Sequence, residues 1–243
     1  MKKVVLAALM LVLVAQPCWA RKIVIAQDAT WPPMEFVNEN KEIVGFDTDY
    51  MKAAAKEAGY EVELKNVAWD GIFGGLAAGK YDAVCSSVTI TDERKKTMDF
   101  SIPYFKVRQA LVVPKSSTAK SLEEMSGKTV GAQIGTTGYF AIKDVSGISA
   151  KSYDEIGLAI EDLFSGRIDG VVCDDPVAAQ YALQRTEYAE KLKIAAVLDT
   201  GDEYYGVAVK KGNTEVLDLI NQGIKAVQEK GIDKELRAKW IGQ

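Results

Sequence analysis

The segment Leu76-Ala-Ala-Gly79-Lys80-Tyr81-Asp82-Ala83-Val84-Cys85 is echoed by Leu163-Phe-Ser-Gly166-Arg167-Ile168-Asp169-Gly170-Val171-Val172-Cys173, with one extra residue before the second cysteine. Each copy reads as a helix end, a glycine cap and a buried strand. Each then runs into polar residues, Ser86-Ser87 in one and Asp174-Asp175 in the other. A weaker echo precedes each copy: Lys22, Val24, Ala26, Gln27 and Thr30 recur as Lys128, Val130, Ala132, Gln133 and Thr136. A chain that repeats one plan in this order fits two α/β lobes of similar design better than one continuous sheet.

Short β-rich runs such as KIVIAQ, EVELKNV, QALVV and KIAAVL alternate with segments of helical period, among them 49–58, 70–78, 156–165 and 177–183. The alternation predicts mostly parallel sheets flanked by helices, with ligands at the carboxyl ends of the strands. Lobe 1 is expected to take residues 21–109 and 203–243, and lobe 2 residues 110–202. Gln109 to Val113 and Tyr205 to Val209 then serve as two crossing strands. From Asn213, an N-cap candidate, residues Val216, Ile220, Ile224 and Val227 mark an amphipathic helix returning to lobe 1.

The first twenty residues have the layout of a secretory leader. Lys2 and Lys3 precede an apolar run from Val4 to Ala15, and small residues flank a cut after about Ala20. The run is too short for a permanent membrane anchor, and Gln16-Pro17 is a poor approach to a lipid-modified Cys18. An exported, periplasmic protein is expected. The whole chain carries 30 basic and 34 acidic residues, and two of the basic ones lie in the leader. That balance disfavours nucleic acid or an anionic membrane surface as partner. Cys85 and Cys173 sit in apolar strand-like runs and read as buried thiols. There is no histidine, which removes the commonest general base and zinc ligand.

Polar residues collect at four expected strand ends: Asp28, Ser86 to Thr89, the Gly135-Thr136-Thr137-Gly138 turn, and Asp174. All four should face one cleft between the lobes, together with Arg94. A guanidinium binds a carboxylate through two parallel hydrogen bonds, and amides at a helix N-terminus add anion donors. Asp174, opposite, suits an ammonium, with Ser86 or Thr89 oxygens as further acceptors. This is the charge pattern of an α-amino acid. Plainer readings compete: Arg94 on a solvated helix face, Trp31 and Trp69 as core plugs, and Asp28 as a turn residue. Asp47 and Asp49, a tempting carboxylate pair for metal, read instead as caps before a helix.

The stretches GFDTDYMKAAAKEA, SSVTITDERKKTMDFSIPYF and GTTG resemble the periplasmic polar amino-acid-binding proteins, family 3 of the bacterial solute-binding proteins that serve ABC importers. The resemblance covers the whole mature chain and keeps the motif order; Tyr50 departs from the usual aliphatic residue or Phe. It implies a two-lobed clamshell that closes on an L-amino acid and delivers it to a membrane permease, as a monomer, without metal or other cofactor. It further implies that Arg94 and the backbone at Thr89 and Thr137 hold the α-carboxylate, with Thr136 in the same turn. Asp174 and Ser87 would hold the α-amine, Trp31 and Trp69 would sandwich the side-chain stem, and Asp28 and Gln133 would face its far end.

Two indoles and a terminal carboxylate suit a long cationic side chain, so arginine, lysine or ornithine comes first. Glutamine is the alternative, because Asp28 accepts from an amide and Gln133 offers both a donor and an acceptor. A reading of another class is a cyclohexadienyl-type dehydratase on the same fold, with Asp174 or Asp28 as the acid. A third is a sensory module that shows its ligand to a separate receptor. A binding protein without catalytic residues is the expectation.

Overall fold

The structure, a computed structural model, describes residues 21–242; the leader expectation lies outside the described residues. Two five-stranded sheets form the two lobes. The strand order in lobe 1 is Glu61–Asn66, Lys22–Gln27, Ala83–Val84, Ala208–Lys210, Met98–Phe100. In lobe 2 it is Ser149–Tyr153, Thr129–Gln133, Gly170–Asp174, Gln109–Pro114, Leu192–Val197. In both, the first three strands run parallel and the fourth is antiparallel to its two neighbours.

The sequence echoes occupy equivalent places. Lys22–Gln27 and Thr129–Gln133 are second strands, and Ala83–Val84 and Gly170–Asp174 are third strands. The repeated aspartate has a matching task in each lobe: Asp82 Oδ2 accepts from the Val24 amide at 2.8 Å, and Asp169 Oδ2 accepts from the Thr129 amide at 2.9 Å. Each pins the turn before the third strand onto the second. Gly79 and Gly166, both at φ 72°, make the left-handed turn that ends the preceding helix, a conformation open to glycine at little cost.

The chain crosses between the lobes through Phe105–Val107 and Glu203–Tyr205, which pair antiparallel as a two-stranded ladder of their own. This corrects the expected crossing strands. Gln109–Pro114 belongs to the lobe 2 sheet and Ala208–Lys210 to the lobe 1 sheet, each just beyond the crossing. The buried apolar runs give the stronger sequence signal. The ladder has only three residues a side, and Lys106 at its centre is exposed.

Helix Phe46–Ala58 is not capped by Asp47 or Asp49, contrary to expectation. Its cap is Gly45, at φ 132°, where an added Cβ would stand 2.2 Å from the Met34 carbonyl oxygen. Asp49 turns outward to Lys239 at 2.7 Å and the Trp240 indole at 2.9 Å, while Asp47 turns inward and is fully buried. The two carboxylates therefore part company.

Helix Thr214–Glu229 starts as expected: Asn213 Oδ1 accepts from the Val216 amide at 3.4 Å, and Val216, Ile220, Ile224 and Val227 are buried. It packs on helix Phe46–Ala58 at Gly223, where an added Cβ would lie 2.4 Å from the Ala54 carbonyl oxygen. Cys85 and Cys173, one in each lobe, are buried and unpaired. Gly223→Ala adds about 1 kcal/mol of helix propensity but overpacks rigid backbone at a cost of about 3 kcal/mol. Its melting temperature is expected to fall by roughly 4–8 °C, measured calorimetrically on the ligand-free protein.

Candidate functional site

The carboxyl ends of the second and third strands of both sheets meet across the interlobe cleft around a small cavity of about 20 Å³. Every residue expected from the sequence lines it: Asp28, Trp31, Trp69, Ser86, Ser87, Thr89 and Arg94 from lobe 1, with Gln133, Thr136, Thr137 and Asp174 from lobe 2. Glu35 lines it as well and was not expected.

Arg94 belongs to the short helix Asp92–Lys95, whose start is capped by Thr91: its Oγ1 accepts from the Arg94 amide at 3.2 Å. The guanidinium donates to the Thr89 carbonyl at 2.8 Å and, across the cleft, to the Gly135 carbonyl at 3.2 Å. It stands 5.6 Å from the Trp69 ring centre and 5.4 Å from that of Phe73. Burial lowers its pKa to about 10, so it is charged at neutral pH. Two of its five N–H groups are used by these carbonyls, and the rest remain for an anion. Arg94 is thus a cation of the cleft, not of a solvated helix face.

The Gly-Thr-Thr-Gly turn leads into helix Thr137–Asp144. Thr136 Oγ1 accepts from the Tyr139 amide at 3.2 Å and donates to the Gln133 carbonyl at 2.7 Å. The first amides of that helix, beginning with Thr137, have no intrahelical acceptor. Gly135 has φ 70°, and a Cβ on Gly138 would lie 2.7 Å from Gln109 Oε1. Gly135 is favoured by its left-handed backbone, and at Gly138 a side chain would displace Gln109 and press on the Val172 carbonyl oxygen at 3.2 Å.

Asp174 ends the strand Gly170–Asp174 and is buried. Its Oδ1 accepts from Gln109 Nε2 at 2.6 Å, and its Oδ2 from the Tyr205 hydroxyl at 2.5 Å and the Trp31 indole at 3.3 Å. Burial raises its pKa to about 7, against the pull of the Tyr205 and Gln109 hydrogen bonds.

At the other end, Asp28 accepts from Thr30 Oγ1 at 3.0 Å and, across the cleft, from Gln133 Nε2 at 2.8 Å. Burial raises its pKa too. Glu35 accepts from the Ser86 hydroxyl at 2.8 Å and the Ser87 hydroxyl at 3.3 Å. Behind it, Asp47 accepts from the Ser87 amide and the Tyr104 hydroxyl, both at 2.7 Å, and its Oδ1 has no partner. Burial, then the neighbouring Asp47, pushes the Glu35 carboxyl well above the usual range; burial raises Asp47 to about 6. The two carboxyls titrate as a coupled pair, and burial beside each other disfavours a second negative charge. The serine hydroxyls thus bond to Glu35, where the sequence suggested a direct role toward a ligand.

Trp31 and Trp69 are both buried, and both line the cavity, so core and site readings hold together. Glu35, Gln109 and Tyr205 escaped the sequence reading. The available signal was the same for each: a polar or ionisable residue inside an apolar strand-like run (PPMEF, QALVV, YYGVAV).

With this geometry in hand, comparison with known proteins is specific. Residues 23–243 match the bacterial extracellular solute-binding proteins, family 3, and the chain belongs to that family. Among relatives, it is 35% identical to ABC transporter arginine-binding protein 1 of Escherichia coli (strain K12) over the full length of both chains. Among solved structures, an ancestral arginine-binding protein bound to arginine superposes with a TM-score of 0.85 at 41% identity, covering 91% of this chain and 99% of that one. An ancestral arginine-binding protein bound to glutamine gives 0.85 at 42%, covering 91% and 98%.

A carboxyl whose pKa is raised by folding stabilises the fold fully below its unfolded value, about 4, and loses that contribution as pH rises through the folded value. For Asp174 the window ends near pH 7. The ligand-free protein is expected to melt higher at pH 5 than at pH 8. In Asp174→Asn this fall is shallower, and at pH 8 the variant melts above the wild type; thermal scans across this range check both.

Proposed function

We propose that the protein captures an L-amino acid with a cationic side chain, arginine, lysine or ornithine, and delivers it to the membrane permease of an ABC importer. The observation that carries the reading is one cavity with Arg94 and Asp174 in its walls, two tryptophans, and a further pair of carboxyl groups, Asp28 and Glu35, in the same space. In this reading Arg94 and the amides at Thr137 take the α-carboxylate, Thr89 positions Arg94, and Asp174 takes the α-ammonium with Ser87 nearby. The indoles flank the stem. Asp28 and Glu35 take the terminal cation, whose arrival favours ionised Glu35.

The lobes would act as a clamshell about the three-residue ladder, lobe 1 docking the ligand and lobe 2 adding Asp174 and the Thr136-Thr137 turn on closure. The permease would read the closed form, in the periplasm after removal of the leader. A glutamine ligand is the second reading, supported by the amide-to-carboxylate bond between Gln133 and Asp28, which an amide ligand can imitate. Dehydratase chemistry is the reading of another class: burial outweighs the donors on Asp174 and raises its pKa to about 7, within reach of a general acid.

The test is thermal unfolding and calorimetric titration of ligand-stripped mature protein with the common L-amino acids and ornithine. Arginine, lysine or ornithine is expected to raise the melting temperature most. A response to glutamine alone would move the assignment to amide recognition, and no response to any amino acid would overturn it. Arg94→Ala is expected to keep the fold and weaken binding by about 100-fold or more. Glu35→Gln and Asp28→Asn are each expected to weaken arginine by about 10- to 100-fold while changing glutamine far less.

A further inference from the structure

Tyr205 is the last residue of the ladder strand Glu203–Tyr205, and its side chain is fully buried. Its backbone is sewn to lobe 1. It forms a β-bridge with Thr89, its carbonyl accepts from the Tyr104 amide at 3.1 Å, and the flanking Tyr204 carbonyl accepts from the Ile90 amide at 2.8 Å. The Thr89 carbonyl, one residue from those contacts, is the acceptor that holds Arg94. The Tyr205 ring stacks on Phe105 of the partner ladder strand, at 5.5 Å between centres and 19° between planes. Its hydroxyl reaches into lobe 2 and donates to Asp174 Oδ2 at 2.5 Å. One residue therefore joins the segment that holds the guanidinium to the carboxylate opposite it.

The other oxygen of Asp174 is held from its own sheet. Gln109 is Asp174's register partner on the adjacent strand, and the second hydrogen of its amide is within reach of Thr137 Oγ1 at 3.0 Å and Glu203 Oε2 at 3.1 Å. We propose that Tyr205, assisted by Gln109, is a positioning residue for ligand recognition, holding Asp174 opposite Arg94 so that the two can meet the two charged groups of one α-amino acid. The inference rests on the reading of Asp174 as the α-ammonium partner. It places part of the specificity for α-amino acids in the hinge ladder, behind the cavity wall.

Tyr205 acts in two ways. Its donor fixes the rotamer of the carboxylate, and it stabilises the ionised form that an ammonium needs. The charged groups around Asp174 divide: Glu203 on the ladder strand and Asp175 next in the chain oppose its ionisation, while Arg94 across the cleft interacts favourably with it. Burial first, then Asp174 and more weakly Asp47 and Glu35, oppose loss of the tyrosine's own proton, so the hydroxyl stays a donor. Removing that hydroxyl leaves Asp174 harder to ionise, and ligand affinity should then begin to fall at a higher pH.

The test is calorimetric titration of mature wild type, Tyr205→Phe, Asp174→Asn and the double variant with L-arginine between pH 5.5 and 9. Tyr205→Phe is expected to fold, to bind about 10- to 100-fold more weakly at pH 7, and to show the acid fall in affinity displaced upward by about one pH unit. In the Asp174→Asn background the same change is expected to have little further effect, because both act on one interaction. An undisplaced pH profile, or an equal loss in both backgrounds, overturns the proposal. Should Tyr205→Phe not fold, Gln109→Met makes the same test from the other carboxylate oxygen, with the same outcomes deciding. Wild type that binds no amino acid defeats the functional reading itself, and that result is visible before any variant is compared.

Discussion

An ionised carboxylate taken out of water costs several kcal/mol unless donors, a proton or an opposite charge answer it. The cleft and the wall behind it bury four: Asp28, Glu35, Asp47 and Asp174. The protein answers them unequally. Asp174 receives three donors, Asp28 two, and Glu35, whose pKa burial and Asp47 raise, meets two serine hydroxyls. The single guanidinium in the cavity is itself held by two carbonyls rather than by a carboxylate. Acidic charge thus exceeds basic charge around an enclosed space. A ligand with two positive groups and one negative group meets that excess, and its negative end has only one cation to find.

The frame explains how charges from distant parts of the chain come so close. Each lobe repeats a sheet whose second and third strands are parallel, so their carboxyl ends open on the same side. Setting two such sheets face to face brings Asp28 and Ser86 opposite Gln133 and Asp174. The repeated aspartates, Asp82 and Asp169, fix the third strand against the second in each lobe. They stabilise the plan without entering the cavity. The ladder between the lobes is short, and beside the polar contacts across the cleft helix Ile156–Phe164 of lobe 2 packs on Thr30–Trp31 of lobe 1.

Much of this was legible in the sequence because it follows from periodicity and from charge. The echo of Leu76 to Cys85 in Leu163 to Cys173 announced two lobes of one design, and polar residues after buried strands announced the cleft. The expected crossing strands lie a few residues off because the order of the motifs locates a crossing only coarsely, and a ladder centred on exposed Lys106 has no apolar run to mark it. Asp47 was read as a cap because position in a helix is local information, whereas its partners, Ser87 and Tyr104, are distant in the chain. Glu35 and Tyr205 share that difficulty. What makes each informative is a hydrogen bond to a residue far away in sequence, and an apolar run with one polar member looks the same whether or not that member reaches a cavity.

Three contacts across the cleft use groups that the ligand would also need. Gln133 donates to Asp28, the Trp31 indole to Asp174, and Arg94 to the Gly135 carbonyl. Each is worth about 1 kcal/mol net, more where a charge is involved, so the closed arrangement carries stabilisation of its own. A ligand shifts the population between open and closed forms only by its differential affinity for them. If it displaced all three contacts, much of its binding energy would replace what closure already provides. A cation entering between Asp28 and Glu35 need not do so, because a carboxylate accepts several hydrogen bonds and Asp28 can keep Gln133 while gaining the ligand. An amide ligand, with fewer donors and no charge, gains less from the same two carboxyl groups. The cleft's own contacts therefore bias it toward cationic side chains even before the shape of the pocket is considered.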